Sequence, residues 1–303
     1  MENKEEKDDF NVIIDIENFR NYLENKEILN IVQLVCKRSN SQRQKTKETY
    51  YSTYGKDLQE ELNSKLSGNV NDLVMGLMMT PEEFDANEIH LAIKGIGTDE
   101  SRLSEIIATR PSRHLTQIKD KFSALHGETM DKAIIGDTSK CYQKLLVAII
   151  QGKRSDNPYP DPEKMKEILE KLKLDEKGKM PEDAFVQYLG SCSYAEICTL
   201  CWLFEKTYNK SILEVIKNSF DKSTHEFFKI LFHFISDCPG YFAEKLHGFK
   251  EKDLTRILIS RSEINMNEIR EAYKELYNSE LLDDLKTKTS GNYQIGLTIL
   301  AQK

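Results

Sequence analysis

No run of apolar residues in this chain of 303 residues approaches the roughly 20 that are needed to cross a bilayer. The acidic start, MENKEEKDDF, lacks the apolar stretch of a secretory signal, so the cytosol is the expected compartment. Basic blocks are also missing, and the net charge is −7. This charge argues against nucleic acid as a partner, and it repels anionic lipid. A contact with a membrane would therefore need a bridging cation.

Motifs for catalysis or zinc binding are missing as well. The pair Cys198 and Cys201 forms a CxxC, but no second CxxC or histidine pair stands nearby to complete a zinc site. The six histidines form no HExxH, and no serine or cysteine occupies a nucleophile motif. The CxxC lies in the apolar stretch AEICTLCWLF, which predicts core positions for both cysteines and for Trp202. No enzymatic activity is expected.

Alternating strand patterns are absent, and the apolar residues follow a helical period throughout. Prolines cluster in SDNPYPDPEK near the middle of the chain, and Pro81 and Pro239 divide each half again. The predicted organisation is an acidic tail at 1–14, repeat 1 at 15–80, repeat 2 at 81–152, a linker at 153–162, repeat 3 at 163–237 and repeat 4 at 238–303.

Three landmarks recur in the same order in the four blocks. The first is a serine before a final apolar helix, at Ser67, Ser139, Ser223 and Ser290. The second is the glycine- or asparagine-containing stretch TYGKDL, LHGETM, TYNKSI or LYNSEL. The third is an arginine late in an earlier helix, at Arg38, Arg110 and Arg261, which the stretch SCSY replaces in the third block; the arginines predict a structural ion pair within the bundles. The chain is therefore predicted to be all-α, with about five short helices in each repeat.

The stretch IKGIGTDE contains two glycines that are compatible with either a phosphate loop or a cation site. A phosphate loop would follow a strand and present N–H groups, whereas this loop follows the helical stretch DANEIHLAI. The end of a helix offers free carbonyl groups and the negative end of the dipole. Thr98 or Asp99 can cap the next helix and occupy its N–H groups. The pattern favours a cation.

The loop and a distant acid together resemble the type II calcium site of the annexins. Asp137, in GDTSK, follows Gly97 by 40 residues. The resemblance implies four five-helix repeats that form a curved disc, with Ca²⁺ as the bound ion. It also implies that the calcium ligands are the carbonyls of Ile93, Gly95 and Gly97 and the carboxylate of Asp137. Open positions would accept water or a phospholipid phosphoryl oxygen.

Further residues of this loop match weaker features of the family's sites. Thr98 and Glu100 correspond to an accessory calcium site. Ile96 would either touch the membrane interface or pack against its own bundle. Lys94 would either pair with a headgroup phosphate or remain solvated.

The other repeats depart from this pattern. Repeat 3 offers Gly178 and Asp221, but their spacing is 43 and only one glycine is present, so a weak or absent site is expected. Repeats 1 and 4 have short loops, and Lys65 and Lys288 stand at the acid position. An ammonium group there repels Ca²⁺, so neither repeat is expected to bind it.

The expected function is calcium-dependent binding to anionic phospholipid membranes by a cytoplasmic protein that becomes peripheral when calcium is present. With one good site, avidity would come from self-association on the membrane. The alternative is a calcium-independent scaffold that binds a membrane or a cytoskeletal partner.

Overall fold

The computed structural model describes residues 10–95, 97–152 and 154–303. These residues form twenty α-helices, and no strand occurs among them, so the predicted all-α class is confirmed. None of the described helices is long and apolar enough to cross a membrane. The described residues divide into two compact units, with boundaries between Phe84 and Asp85 and between Cys238 and Pro239.

Unit 1 comprises the described residues up to Phe84 together with Pro239–Lys303. Its first five helices are α1 (Val12–Asn25), α2 (Ile28–Lys37), α3 (Asn40–Tyr54), α4 (Leu58–Lys65) and α5 (Gly68–Met78). Its last five are α16 (Cys238–His247), α17 (Glu251–Arg261), α18 (Met266–Tyr277), α19 (Leu281–Lys288) and α20 (Gly291–Ala301). The first helix begins three residues before the predicted start of repeat 1 at residue 15.

Unit 2 comprises Asp85–Cys238. The helices of repeat 2 are α6 (Pro81–Ile93), α7 (Glu100–Thr109), α8 (Ser112–His126), α9 (Met130–Asp137) and α10 (Lys140–Ile150). The helices of repeat 3 are α11 (Pro162–Lys171), α12 (Glu182–Ser191), α13 (Tyr194–Tyr208), α14 (Ile212–Ser219) and α15 (Lys222–Ser236).

The glycine-or-asparagine landmark marks the end of the third helix in each repeat. The residues after α3, α8, α13 and α18 adopt the left-handed conformation, with φ of 69°, 73°, 50° and 50° at Gly55, Gly127, Asn209 and Asn278. Glycine and asparagine tolerate this conformation better than other residues, so they end these helices at little conformational cost.

The arginine landmark forms the predicted ion pair in repeats 1 and 2. Arg38 donates from Nε and Nη2 to the two carboxylate oxygens of Asp15, at 2.7 and 2.8 Å. Arg110 binds Asp85 in the same bidentate way, with the same two distances. Each pair ties the first helix of its repeat to the end of the second helix.

Repeat 4 uses its arginine differently. Phe242 lies in α16, the first helix of this repeat, and the guanidinium of Arg261 stacks over the Phe242 ring at 4.6 Å. Arg261 also donates to the amide oxygen of Asn265, at 2.7 and 2.9 Å. The ring and the amide serve as partners of this arginine.

Close helix packing within each unit depends on small residues. A Cβ at Gly296 of α20 would lie 2.5 Å from Leu73 Cδ2 and 3.1 Å from Val32 Cγ1. A Cβ at Gly190 of α12 would lie 2.8 Å from the Cβ of Ala148 in α10. Side chains at these glycines would overpack the core and force the helices apart.

The core positions predicted for Cys198 and Trp202 are wrong. Both are exposed, and 58% of Trp202 is accessible to solvent. Cys201 is buried as expected. The two exposed residues lie one turn apart on the outer face of α13, where the ammonium group of Lys206 stacks over the Trp202 ring at 4.5 Å. An apolar stretch that covers several turns of helix therefore includes an outward face.

Lys140, the first residue of α10, has a φ of 59°, whereas the equivalent residues of α5 and α20 are Gly68 and Gly291. A side chain in this conformation is strained by about 1–2 kcal/mol. Glycine removes this strain, but part of the gain in stability is offset because glycine makes the unfolded chain more flexible. We expect Lys140→Gly to raise the free energy of unfolding by about 0.5–1 kcal/mol in urea titrations. The reciprocal Gly291→Lys should lower it. A destabilised Lys140→Gly protein would contradict this account.

Candidate functional site

Two glycines give the loop between α6 and α7 a conformation that other residues rarely adopt. The φ angle is 112° at Gly95 and 85° at Gly97. A Cβ built at either position would meet no atom within 4 Å, so glycine is required for conformation rather than for space. With these angles, successive carbonyl groups can turn toward one point.

The three carbonyl groups predicted as ligands lie where α6 ends. The N–H of Asp99 closes the loop by donating to the carbonyl of Ala92, at 2.8 Å. Within residues 10–95, 97–152 and 154–303, no backbone N–H donates to the carbonyl oxygen of Ile93, Gly95 or Gly97. Carbonyl oxygens at the end of a helix suit a cation, because the negative end of the helix dipole lies there.

Asp137, the last residue of α9, is in direct contact with this loop. The Thr98 hydroxyl donates to Asp137 Oδ2 at 2.5 Å and also lies 3.0 Å from the Asp137 carbonyl oxygen. The contact joins two segments that are 39 residues apart. The structure therefore brings the glycine loop and the distant carboxylate together.

The start of α7 is already capped. Asp99 is the N-cap residue, and its carboxylate accepts from the N–H of Arg102 at 3.1 Å. Arg102 is buried and forms ion pairs with Glu88 and Asp99, each at 3.5 Å. The capping carboxylate competes with any anion for the N–H groups of α7, which favours a cation at this loop.

The donor set suits a hard cation. In the part of the chain that the structure describes, no three His, Cys, Asp or Glu side chains are grouped so that they could hold a metal. The predicted set instead combines backbone carbonyls with one carboxylate. Calcium accepts such a mixture of oxygens, and it binds waters at positions that the protein leaves open.

The remaining predicted residues of the loop have varied surroundings. Glu100 accepts from the Ser223 hydroxyl at 2.7 Å, whereas the Thr98 hydroxyl is bonded to Asp137. The two predicted accessory ligands thus contact different partners. Lys94 is exposed. Ile96 lies outside the described residues.

The fourth helix of each repeat has the same length and defines the register of the acid position. The helices α4, α9, α14 and α19 each contain 8 residues. Their last residues are Lys65, Asp137, Ser219 and Lys288. In repeat 3 the counterpart of Asp137 is therefore Ser219, and Asp221 lies two residues further on.

Asp221 instead caps a helix. Its carboxylate oxygens accept from the N–H and the hydroxyl of Thr224 at the start of α15, at 3.0 and 2.9 Å. By register, Asp221 corresponds to Ser67, Ser139 and Ser290, the N-cap residues of the other final helices. Matching Ser223 to these serines is therefore wrong by two residues.

The loop of repeat 3, between α11 and α12, is folded onto itself around Asp175. The Asp175 carboxylate accepts from the N–H groups of Lys177 and Lys179, at 2.9 and 2.8 Å. The Lys179 carbonyl accepts from the Asp175 N–H, at 2.9 Å. Ser219 accepts from the Met180 N–H, at 3.0 Å. The Asp175 carboxylate and the Lys179 carbonyl therefore already accept hydrogen bonds from protein N–H groups.

Short turns replace the loop in repeats 1 and 4. Residues 26–27 separate α1 from α2, and residues 248–250 separate α16 from α17. In repeat 4 the ammonium group of Lys288 lies over the ring of Phe249 in that turn, at 5.9 Å. The ammonium group of Lys288 thus lies at the turn of repeat 4, in the position that the Asp137 carboxylate has at the loop of repeat 2.

A histidine pair that the sequence patterns do not indicate lies on the helices next to the repeat-2 loop. The rings of His90 in α6 and His126 in α8 are parallel, with centroids 3.9 Å apart. Burial, followed by the proximity of His90, lowers the pKa of His126 below its ordinary value. Repeat 4 has a similar stack of His247 on Tyr277, at 3.7 Å. Because a similar ring stack occurs in repeat 4, we interpret the stack of His90 and His126 as a packing contact.

Comparison with known proteins yields matches along most of the chain. The family model described as Annexin matches residues 27–77, 84–149 and 241–300, which fall in the first, second and fourth predicted repeats. Annexin A11 of Homo sapiens is 33% identical over 272 residues, covering 87% of this chain and 54% of that protein. The chain thus spans about half the length of this relative.

Two further relatives match over most of their own length. Annexin A13 of Homo sapiens is 30% identical, with 87% of this chain and 86% of that protein covered. The structure of annexin III superposes with a TM-score of 0.92 at 28% identity, covering 98% of this chain and 95% of the other.

Proposed function

Since the chain belongs to the annexin family, whose members bind phospholipid in a calcium-dependent manner, we propose that its repeat-2 loop holds Ca²⁺ against anionic membranes. The calcium ligands would be the carbonyl oxygens of Ile93, Gly95 and Gly97 and the carboxylate of Asp137. The hydrogen bond from Thr98 to Asp137 is the observation that carries this proposal, because it holds the carboxylate at the loop.

In this proposal the calcium ion is needed because the protein and the membrane are both negatively charged. The protein has a net charge of −7, so an anionic bilayer repels it. A divalent cation at the loop reverses the local charge. Its open coordination positions accept a phosphoryl oxygen of a lipid headgroup, so the ion binds the protein and the membrane at the same time.

Neighbouring residues would support this contact. The exposed Lys94 is suited to pair with a second headgroup phosphate. We assign Ile96 to the membrane interface on sequence grounds alone. Thr98 and Glu100 would contribute to an accessory site only after exchanging their present partners, Asp137 and Ser223.

We propose no calcium site in the other three repeats. Lys65 and Lys288 place a positive charge at the acid position, and Ser219 places a neutral hydroxyl there. Gly178 belongs to a turn whose polar groups already bind one another through Asp175. One calcium site gives weak binding by itself, so self-association on the membrane would supply avidity.

A second candidate function is a calcium-independent scaffold for membranes or the cytoskeleton. The lysines at the acid positions of repeats 1 and 4 favour it, because a fixed ammonium group attracts phosphate without a metal. The response to calcium distinguishes the two functions.

Vesicle sedimentation tests the leading proposal. The protein is mixed with vesicles of phosphatidylserine and phosphatidylcholine, in calcium or in EGTA. We expect it to pellet only with calcium, and not with pure phosphatidylcholine. Equal pelleting of the anionic vesicles in calcium and in EGTA would contradict the proposal and favour the scaffold.

A further inference from the structure

Repeat 1 contains a cavity beside the residue that replaces the calcium ligand. Its volume is about 330 Å³, near the lower end of the range of about 300–1,000 Å³ for small-molecule sites. It is lined by α1, by the last turn of α3 and by α4 with the turn before it. The lining includes Lys65, which has the same position in its repeat as Asp137 has in repeat 2.

Positive charge is in excess in this cavity. Three cationic side chains, Arg20, Lys56 and Lys65, line it together with two carboxylates, Glu24 and Glu61. Arg20 pairs with Glu24 at 3.1 Å, and Lys56 pairs with Glu61 at 2.8 Å. Among the described residues, Lys65 has no hydrogen bond or ion pair to a protein group. Its ammonium group is therefore the charge that remains for an incoming anion.

The existing pairs can be exchanged at low cost. Arg20 and Glu24 are 58% and 66% exposed, and exposed ion pairs contribute little to stability. An anion with several oxygens can therefore recruit Arg20 in addition to Lys65. The oxygens of a phosphate can accept charge-assisted hydrogen bonds from both cations.

Aromatic residues form one wall of the cavity and hold its carboxylate in place. The Tyr50 hydroxyl donates to Glu61 at 2.5 Å, and Arg20 stacks over the Tyr54 ring at 5.2 Å. Burial opposes the charge on Glu61, but hydrogen bonds from Lys56 and Tyr50 hold its pKa below the ordinary value. Glu61 therefore remains an acceptor for these two side chains, and the nearby positive charge of Lys65 also favours its ionised form.

We propose that this cavity binds a phosphate monoester without calcium, with Lys65 contacting the phosphate directly. The inference rests on the membrane function proposed for the equivalent loop of repeat 2 and adds a second, metal-free phosphate contact. The phosphate of a lipid headgroup and a soluble phosphate monoester share the chemistry that the cavity recognises.

The test measures binding in EGTA to phosphatidylcholine vesicles that contain phosphatidic acid, whose headgroup is a phosphate monoester. Lys65→Gln removes the charge and keeps a polar, unbranched stem, and Lys65→Arg retains the charge. Lys45→Gln is the matched control, since Lys45 is exposed in α3 and lines no part of the cavity. Glycerol 3-phosphate, added as a competitor, represents the soluble source.

Wild type should bind these vesicles in EGTA, and Lys65→Gln should weaken the binding about tenfold, as expected for the loss of one charged hydrogen bond. Lys65→Arg should restore most of it, and Lys45→Gln should leave it within about twofold. Competition by glycerol 3-phosphate supports a site open to soluble phosphates. Its failure to compete, with the Lys65 effect intact, supports a site for lipid headgroups.

Two results would overturn the inference. One is the absence of binding in EGTA to the vesicles that contain phosphatidic acid. The other is an equal effect of Lys65→Gln and Lys45→Gln, which would indicate general charge attraction. Calcium-dependent pelleting with phosphatidylserine should be unchanged in Lys65→Gln, so the failure of this inference is distinguishable from the failure of the proposed function.

Discussion

Replacing Asp137 by asparagine is expected to raise the calcium concentration for half-maximal vesicle binding at least about tenfold, because the proposed site loses its only charged ligand. Asparagine has nearly the same shape, and its amide oxygen can still accept the hydrogen bond that Thr98 donates at 2.5 Å. The substitution therefore changes the charge at the loop while the contact between loop and helix is retained. Sedimentation across a calcium titration measures the shift.

Asp221→Asn is the matched control for this experiment. Asp221 lies in the same unit and caps α15 through Thr224. Asparagine is as good an N-cap as aspartate, so little stability should be lost. Its calcium response should stay within about twofold of wild type, since the proposed ligand set excludes it. Equal shifts in the two variants, or an unchanged Asp137→Asn, would contradict the assignment.

The second large effect concerns stability. Asp85→Ala should lower the free energy of unfolding by about 3–5 kcal/mol, because it leaves the buried guanidinium of Arg110 without its carboxylate. Asp85 is 2% exposed and binds Arg110 through both oxygens, while His114 Nε2 lies 3.0 Å from Oδ2. Urea unfolding followed by circular dichroism measures the loss.

Asp120→Ala provides the comparison, since Asp120 is exposed on α8 in the same unit. It should change the free energy of unfolding by less than about 0.5 kcal/mol. A loss of only about 1 kcal/mol for Asp85→Ala would show that Arg110 finds other partners easily, and it would contradict the structural role of the pair.

The contribution of Asp85 also depends on pH. Burial opposes the charged form, but Arg110 and His114 hold the pKa of Asp85 well below its ordinary value. Its stabilising effect is therefore fully present above the unfolded pKa of about 3.9 and is lost as the pH falls through the folded pKa. The difference in stability between wild type and Asp85→Ala should thus shrink as the pH falls below about 4.

Much of the fold follows from local signals in the sequence. The landmark residues Gly55, Gly127, Asn209 and Asn278 mark helix ends because the chain needs a left-handed conformation there. Hydrophobic periodicity predicts the helices themselves. The exposed position of Trp202 is not predicted, because an almost wholly apolar stretch does not indicate which face of its helix points outward.

The candidate site is predictable where a motif is strong and less so where the repeat has diverged. KGIGTDE and the acid of GDTSK are brought together as expected, although calcium binding by them remains a prediction. In repeat 3 the sequence suggests Asp221, while the helix register selects Ser219. The longer loop of repeat 3 and the nearby capping residue Asp221 make the sequence match the wrong residue, two positions after the true counterpart of Asp137. Counting residues from the end of the fourth helix gives the correct counterpart, but the position of that helix end is known only from the structure.

The histidine stack illustrates a different limit. His90 and His126 are far apart in the chain, and neither belongs to a motif. A signal exists in the repeat alignment, because His247 stacks on Tyr277 and Arg20 stacks on Tyr54 in the corresponding helices. Three different residue pairs fulfil the same packing role, so the alignment becomes informative only after the contact is known.

The central claim is that repeat 2 alone holds calcium. Isothermal titration of the purified protein with Ca²⁺ tests it most directly, because the stoichiometry counts the sites without requiring a membrane. We expect one calcium ion per chain for wild type and for Asp221→Asn, and no saturable binding in the same concentration range for Asp137→Asn. Saturable calcium binding that remains in Asp137→Asn in this concentration range would contradict the claim, because it would come from outside the proposed repeat-2 site.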